Sequence, residues 1–350
     1  VASITESNIY ALWVAAQSAK GTGSTDAVAK RVIHVSGDID LNREDGSENY
    51  SDLDRFGQAT DYINNVSGKG APGIQAQPNT VAFLCWLFFG GETFTAKVAG
   101  TSAPKYVFAP GANTGYWSTW WKRVGQSQII RQKFVDSKIT SLKIEGSTGQ
   151  KVVRITPTFT SLDPGITYAT DPTGALSSVT PLLYTDATGT ITIDGTVFQS
   201  TTQVSVTIDD ASTPVQGDGT RFYDLVPGNA QITMEGPTIL LDSDSIGRYN
   251  TIVYGTATPS AGTKPLSSKP VTGSFSCEWT RGTGDARESL KIEIPAVHWT
   301  PDLAIAPNPD GGPIELALNG SMRKKSDGSK AITITVETGA GDNAAHALPS

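Results

Sequence analysis

VTGSFSCEWTRGTGDARESLKIEIPAVHW, residues 271–299, decides the fold class. Phe275, Cys277 and Trp279 recur at every second position. A polar, glycine-containing turn follows, and Leu290, Ile292 and Ile294 resume the alternation on the return. Successive side chains of a strand point to opposite faces, so the stretch reads as a β-hairpin with one buried face. Residues 139–160, ITSLKIEGSTGQKVVRITPTFT, look alike around a turn at 145–150, with Ile139, Ser141 and Lys143 expected on one face and Thr140, Leu142 and Ile144 on the other. A third hairpin is expected over 314–336, where IELALNGSM and AITITVE flank RKKSDGSK. Further strands are expected at 31–41, 190–194, 203–209, 230–235, 238–242 and 251–255. Residues 8–17, NIYALWVAAQ, carry both periods; the glycines that follow and the lack of a helix cap before them favour a strand.

Against this background QPNTVAFLCWLFFGG, residues 77–91, is the exception. Pro78 with Asn79 or Thr80 as N-cap starts a helix, and Gly90-Gly91 stops it. The expectation is one short flanking helix over about 79–89, carrying Val81, Phe83, Leu84, Trp86, Leu87 and Phe88. A helix apolar on every side needs cover on every side. One face is expected on the chain's own sheet and the other under a loop or a neighbouring copy. The block is too short for the roughly 20 residues that span a bilayer.

The 350 residues carry 17% charged side chains and a net charge of -7, which disfavours a dedicated nucleic-acid binder. Two cysteines do not make a disulfide scaffold; Cys85 and Cys277 read as buried thiols, with a bridge between them the lesser alternative. The start, VASITESNIY, lacks the pattern of a signal peptide. His34, His298 and His346 have no metal-ligand partner at short spacing. No nucleophile elbow, P-loop or zinc-protease motif is present. Asp38-Ile39-Asp40-Leu41-Asn42 and Asp242-Ser243-Asp244-Ser245-Ile246-Gly247 imitate calcium loops, each broken at a position coordination needs. No catalysis, metal or cofactor is expected.

Charge is segregated instead. From 37 to 61 there are eight acids (Asp38, Asp40, Glu44, Asp45, Glu48, Asp52, Asp54, Asp61) against two arginines, a net -6. From 93 to 135 there is no acid, and Lys97, Lys105, Lys122, Arg123, Arg131 and Lys133 sum to +6, among Trp117, Trp120 and Trp121. Two solvated loops, single-strand nucleic-acid binding and docking between copies all fit such a pattern. Copy-to-copy docking also accommodates the greasy helix and the long loops expected at 42–61, 100–120, 161–188 and 211–229.

The order of pieces resembles the major tail tube proteins of long, non-contractile-tailed bacteriophages. The resemblance lies in SDLDRFG and GKGAPGIQAQP running into NTVAFLCWLFFGGE, then KITSLKIEGSTGQKVVRITPTFTSLDPG, GPTILLDSD, ESLKIEIPAVHWTPDL and NPDGGPIELALNGSM, over roughly 31 to 337. It implies a mainly β fold: a β-sandwich or half-barrel domain spanning 1–350, with insertions at about 161–200 and 211–229. It also implies self-assembly into rings, typically hexameric, whose stacks form the tail tube of a virion. Tape-measure, tail-tip and terminator proteins are then the expected partners, and DNA passes through the lumen without specific binding. By position, 42–61 would reach the next ring. The alternative is a carbohydrate-binding or adhesin module with Trp117, Trp120 and Trp121 as its sugar platform.

Overall fold

The computed structural model describes residues 10–50, 58–111, 114–125, 129–163, 165–174, 180–187, 191–198, 201–216, 222–265, 272–301, 314–322, 330–339, 341 and 343–349. The fold is mainly β. The first third holds β1 (Tyr10–Ala16), β2 (Lys30–Val32), β3 (His34–Ser36), β4 (Ile39–Tyr50), β5 (Gln58–Gly70), β6 (Gly73–Gln75) and helix α1 (Pro78–Phe89). The middle holds β7 (Thr93–Thr95), β8 (Lys105–Phe108), β9 (Ser118–Val124), β10 (Ile130–Ser147), β11 (Arg154–Ser161), β12 (Thr192–Ile193) and β13 (Thr196–Val197). Then come β14 (Thr201–Asp209), β15 (Thr213–Gln216), β16 (Phe222–Val226), β17 (Gln231–Leu240) and helix α2 (Ser243–Tyr254). β18 (Thr272–Arg281), β19 (Glu288–Pro301), β20 (Glu315–Met322) and β21 (Thr333–Thr338) end the succession.

All strands but β15 and β16 join one antiparallel sheet. Its spine runs β2–β1–β9–β10–β14–β17–β20–β19–β18, with β11 on the other edge of β10 and β21 beside β20 along β19. Among the described residues the ladders branch without returning to a strand already joined. β4, for instance, pairs with β5 alone.

The opening hairpin forms in the expected register: Phe275 faces Ile294, Cys277 faces Ile292 and Trp279 faces Leu290, all buried. The 139–160 hairpin forms as well, but a bulge between Ile139 and Ser141 changes its alternation. An extra residue flips the side chains beyond it to the opposite face, so Ile139, Leu142 and Ile144 are all buried, contrary to a strict period of two. The third expected hairpin is not one. β20 and β21 run in the same direction along one edge of β19, β21 against residues 288–293 and β20 against 297–301.

Two further expectations are corrected. Residues 42–61 are not simply a loop: 39–50 and 58–70 form a long two-stranded ribbon, bound to the body through Gly68, Lys69 and Gly70 against β11. Residues 251–255 are not a strand but the last turn of α2, which ends at Tyr254, and the glycine that stops it. That helix starts on a reciprocal cap: the Ser245 N–H donates to Asp242 Oδ1 at 2.8 Å, and the Asp242 N–H to Ser245 Oγ at 2.7 Å. Ser245, Tyr249, Ile252 and Val253 form its buried stripe.

Helix α1 begins one residue earlier than expected, with Gln77 as N-cap and Pro78 in the first turn, and stops at Gly90 in the left-handed region at φ 69°. Every residue of it except Asn79 is buried. It is enclosed rather than flanking. β8, β10, β19 and β21 pack against it, the Tyr116 N–H donates to Leu87 O at 2.7 Å, and the His346 ring of the C-terminal tail stacks on Trp86. The second cover is therefore the chain itself. Cys85 and Cys277 are separate buried thiols, both pushed up in pKa by burial.

Candidate assembly surfaces

The basic segment is built on β8, β9 and the first half of β10, and much of its charge is answered within the chain. Lys122, on β9, is 7% exposed. Its Nζ donates to Asp38 Oδ2 at 2.8 Å and to Ile39 O at 2.7 Å, and lies 3.8 Å from Asp40. Tyr10 Oη donates to Asp38 Oδ1 at 2.8 Å. These bonds tie the root of the ribbon to β9 and β1. Burial alone would raise the Asp38 carboxyl, but the hydrogen bonds from Lys122, Tyr10 and the Ile39 N–H outweigh it and hold it below its usual value. Burial, then Asp38, pushes the Tyr10 phenol up.

A carboxyl depressed in the folded state stabilises above its unfolded pKa and loses that contribution as pH falls through the folded value. The ribbon root is thus intact at neutral pH and weakens in acid, below the ordinary range of an aspartate. Replacing Lys122 by Met is expected to flatten the fall in unfolding midpoint between about pH 5 and pH 3. Urea titrations of both proteins across that range check it; parallel pH profiles would refute the clamp.

Arg123 and Arg131, neighbours across β9 and β10, share one acid. Arg123 Nη1 donates to Asp171 Oδ2 and Arg131 Nε to Asp171 Oδ1, each at 2.8 Å. The hydrogen bond that Arg131 donates to Asp171 raises its guanidinium further. Asp171 belongs to a strap, residues 165–174, laid over the outer face of β1, β9 and β10. Ile166 exchanges backbone hydrogen bonds with Lys133, and Tyr168 Oη donates to Lys122 O at 3.3 Å. At its end Gly174 lies so close to Ala29 that an added Cβ would sit 1.5 Å from the Ala29 oxygen, which only glycine permits. Beneath the strap Trp13, Trp121, Ala11, Ala15 and Ala29 make a second small core, with Tyr168 against it. Asp171→Ala is expected to leave two guanidiniums without their shared acid and to speed protease cleavage within 165–174 several-fold. Limited chymotrypsin digestion with mass spectrometry, which reads cleavage after Tyr168, checks that.

The remaining expected contact residues are scattered. Lys133 Nζ donates to Ser24 O at 3.0 Å and lies 5.0 Å from the Trp121 ring centre. Lys97 pairs with Asp285 at 3.2 Å. Lys105 is exposed on β8, with Glu337 of β21 opposite it. Glu44, Asp45 and Glu48 lie on β4, opposite Asn65, Ile63 and Thr60 of β5. Asp52 and Asp54 fall outside the described residues.

The tryptophan cluster requires a correction. Trp120 and Trp121 are both 0% exposed, Trp120 stacked on Phe159 at 4.6 Å. Neither ring reaches the surface, so neither can touch a neighbouring copy or serve as a sugar platform. Trp117 is half-buried, with Lys20 and Lys138 each 5.7 Å from its ring centre. The calcium-like stretches have other roles: Asp38 and Asp40 flank Lys122, and Asp242 caps α2. Among the described residues no group of three or more His, Cys, Asp or Glu could hold a metal ion, and no helix is long and apolar enough to cross a membrane.

Two features escaped sequence reasoning. One is the strap, whose Tyr168 and Asp171 carry no periodic signal. The other is the C-terminal tail, where buried His346 bonds Glu92 through its backbone N–H at 2.7 Å and its Nδ1 at 2.6 Å, amid Phe83, Trp86 and Tyr106. No protein-family model and no curated protein matches the chain.

Proposed function

We propose that the chain is a structural subunit that assembles with copies of itself into stacked rings, forming a tube of the phage-tail kind through which a genome passes. The observation that carries this reading is the β4–β5 ribbon. Strands of 12 and 13 residues leave the body after three ladder pairs with β11. A two-stranded ribbon is marginally stable alone, and a long strand edge invites pairing with another chain. The ribbon also carries much of the acidic run, which suits an arm that reaches a complementary neighbour. The reading is of assembly without chemistry: edges satisfied by neighbouring copies, rings stacked by their arms, and DNA in the lumen held by no specific contact.

Sedimentation velocity over a wide concentration range tests it. Species much larger than one chain are expected to grow with concentration. A single monomer boundary throughout would overturn the reading. The adhesin alternative loses its platform with Trp120 and Trp121 buried.

A further inference from the structure

We propose that the chain is a tandem duplication of one unit of five strands and a helix, and that the ladder joining the two units inside the chain is repeated between chains. The second half of this proposal rests on the ring reading above; the first does not.

Sheet order is the primary observation. In the first unit the order is β4, then β5 with β6, then β11, β10 and β9. In the second it is β14, β17, β20, β19 and β18. Every ladder is antiparallel. Along the chain the succession also agrees once β7 and β8, inserted after α1, and β15 and β16, inserted after β14, are set aside: β4, β5, β6, α1, β9, β10, β11 in one unit, and β14, β17, α2, β18, β19, β20 in the other. Along the chain each helix follows the second strand of its sheet and precedes the fifth. α1 packs on β10, and α2 packs on its counterpart, β19.

The helices agree residue by residue. Both have 12 residues, and they are 165 positions apart, from Pro78 to Ser243. The first turn closes with Val81 N–H on Gln77 O at 2.9 Å in one and Ile246 N–H on Asp242 O at 3.1 Å in the other. The last turn closes with Gly90 N–H on Trp86 O and Gly255 N–H on Thr251 O, both at 3.0 Å. Both glycines are left-handed, at φ 69° and 76°. Leu84, Leu87 and Phe88 are buried, and so are Tyr249, Ile252 and Val253 at the same positions. Four residues before each helix stands a fully buried isoleucine paired with the third strand: Ile74 with Ile155, Ile239 with Leu316.

The units are joined by β10 and β14, from Ser141 opposite Asp209 to Ser147 opposite Gln203. Thus the first strand of unit two extends the edge of β10 that β9 leaves at Ser137. The matching positions at the outer ends of the chain have no such partner among the described residues. β4 pairs with β5 alone, and β18 leaves β19 at His298, before Trp299, Thr300 and Pro301. Burial differs in the same sense. On β14 Val204, Val206 and Ile208 are 2% exposed or less; on β4 Ile39 is buried but Leu41, next on that face, is 45% exposed. The occupant that fits is a second copy of this chain, its β4 added to this β19 as β14 adds to β10. Such a head-to-tail contact makes a ring when its rotation closes and an open filament when it does not. Each chain supplies two units, so a ring of six units contains three chains, not six.

The register predicts the contact. Carried through the Ile74–Ile155 and Ile239–Leu316 pairs, Gly70 answers to Met234 and Ile39 to Val206, so Ser141 opposite Asp209 becomes Thr300 opposite Asn42 of the neighbouring copy. The test is Asn42→Cys with Thr300→Cys in the full chain under mild oxidation, with image averages of the unmodified protein beside it. The native thiols are both buried. The double variant is expected to give covalent dimers and higher multimers that neither single variant gives. Ring images are expected to show twice as many lobes as chains, the chains counted by native mass spectrometry. Rings without the cross-link, or with as many lobes as chains, overturn the proposal and leave the ring reading standing. Cross-links without rings uphold the contact and sink the tube. Neither rings nor cross-links sinks both.

Discussion

Leu84→Ala is expected to lower stability by about 3 kcal/mol, within the range for a leucine deleted from a core that cannot collapse. Leu84 is 0% exposed near the centre of α1, and that helix is enclosed by β8, β10, β19 and β21. Strands held in ladders on several sides relax little into a void, so the transfer loss and the cavity loss add. Urea unfolding should show a lower midpoint at unchanged slope. The comparison is Leu41→Ala. At 45% exposure, that change should move the stability of the single chain by about 0.5 kcal/mol or less. It should instead weaken assembly, since Leu41 lies on the edge assigned to a neighbour. A small loss at Leu84 would mean that α1 is loosely covered, against the burial described above.

Charge reversal of the ribbon, Glu44→Lys with Asp45→Lys and Glu48→Lys, is expected to abolish tubes while leaving the chain folded. The run from 37 to 61 carries -6, and three acid-to-lysine changes bring it to zero. Much of the basic run is already engaged inside the chain: Lys122 by Asp38 and Asp40, Arg123 and Arg131 by Asp171, Lys97 by Asp285. The ribbon's acids must therefore meet other cations of the next copy, and exposed Lys105 is the one the basic run offers. Negative-stain microscopy of matched samples checks this. Tubes as abundant as those of the unmodified chain would remove the acidic ribbon from the contact. Circular dichroism confirms that the variant is folded.

Strict alternation was legible. Phe275, Cys277 and Trp279 face the residues that period two assigns them, and α1 lies between the proline and glycine that punctuate it. The bulge after Ile139 was not legible, because nothing in ITSLKI marks an extra residue until the partner strand is known. Helix α2 was legible in part. Asp242 and Ser245 form a cap, Gly255 a stop, and Tyr249, Ile252 and Val253 a helical stripe. Its β-branched residues, Thr251, Ile252 and Val253, read as strand because propensity is a weak prior beside capping and packing.

The candidate surface was legible as charge and not as geometry. Composition places acids and bases in adjacent runs, but only the fold shows that Asp171, beyond both runs, neutralises two of the arginines. The internal repeat escaped for a related reason. The alike hairpins at 139–160 and 271–299 are not counterparts: β10 and β11 answer to β19 and β20, whereas 271–299 is β18 with β19, the match of β9 with β10. Similar alternation arises in any half-buried hairpin, so resemblance between two of them carries no register.

The most direct measurement is negative-stain electron microscopy of the unmodified protein at rising concentration. Rings with an open centre, stacking into tubes, are the expected result. Monodisperse single chains at every concentration, folded by circular dichroism, would contradict it.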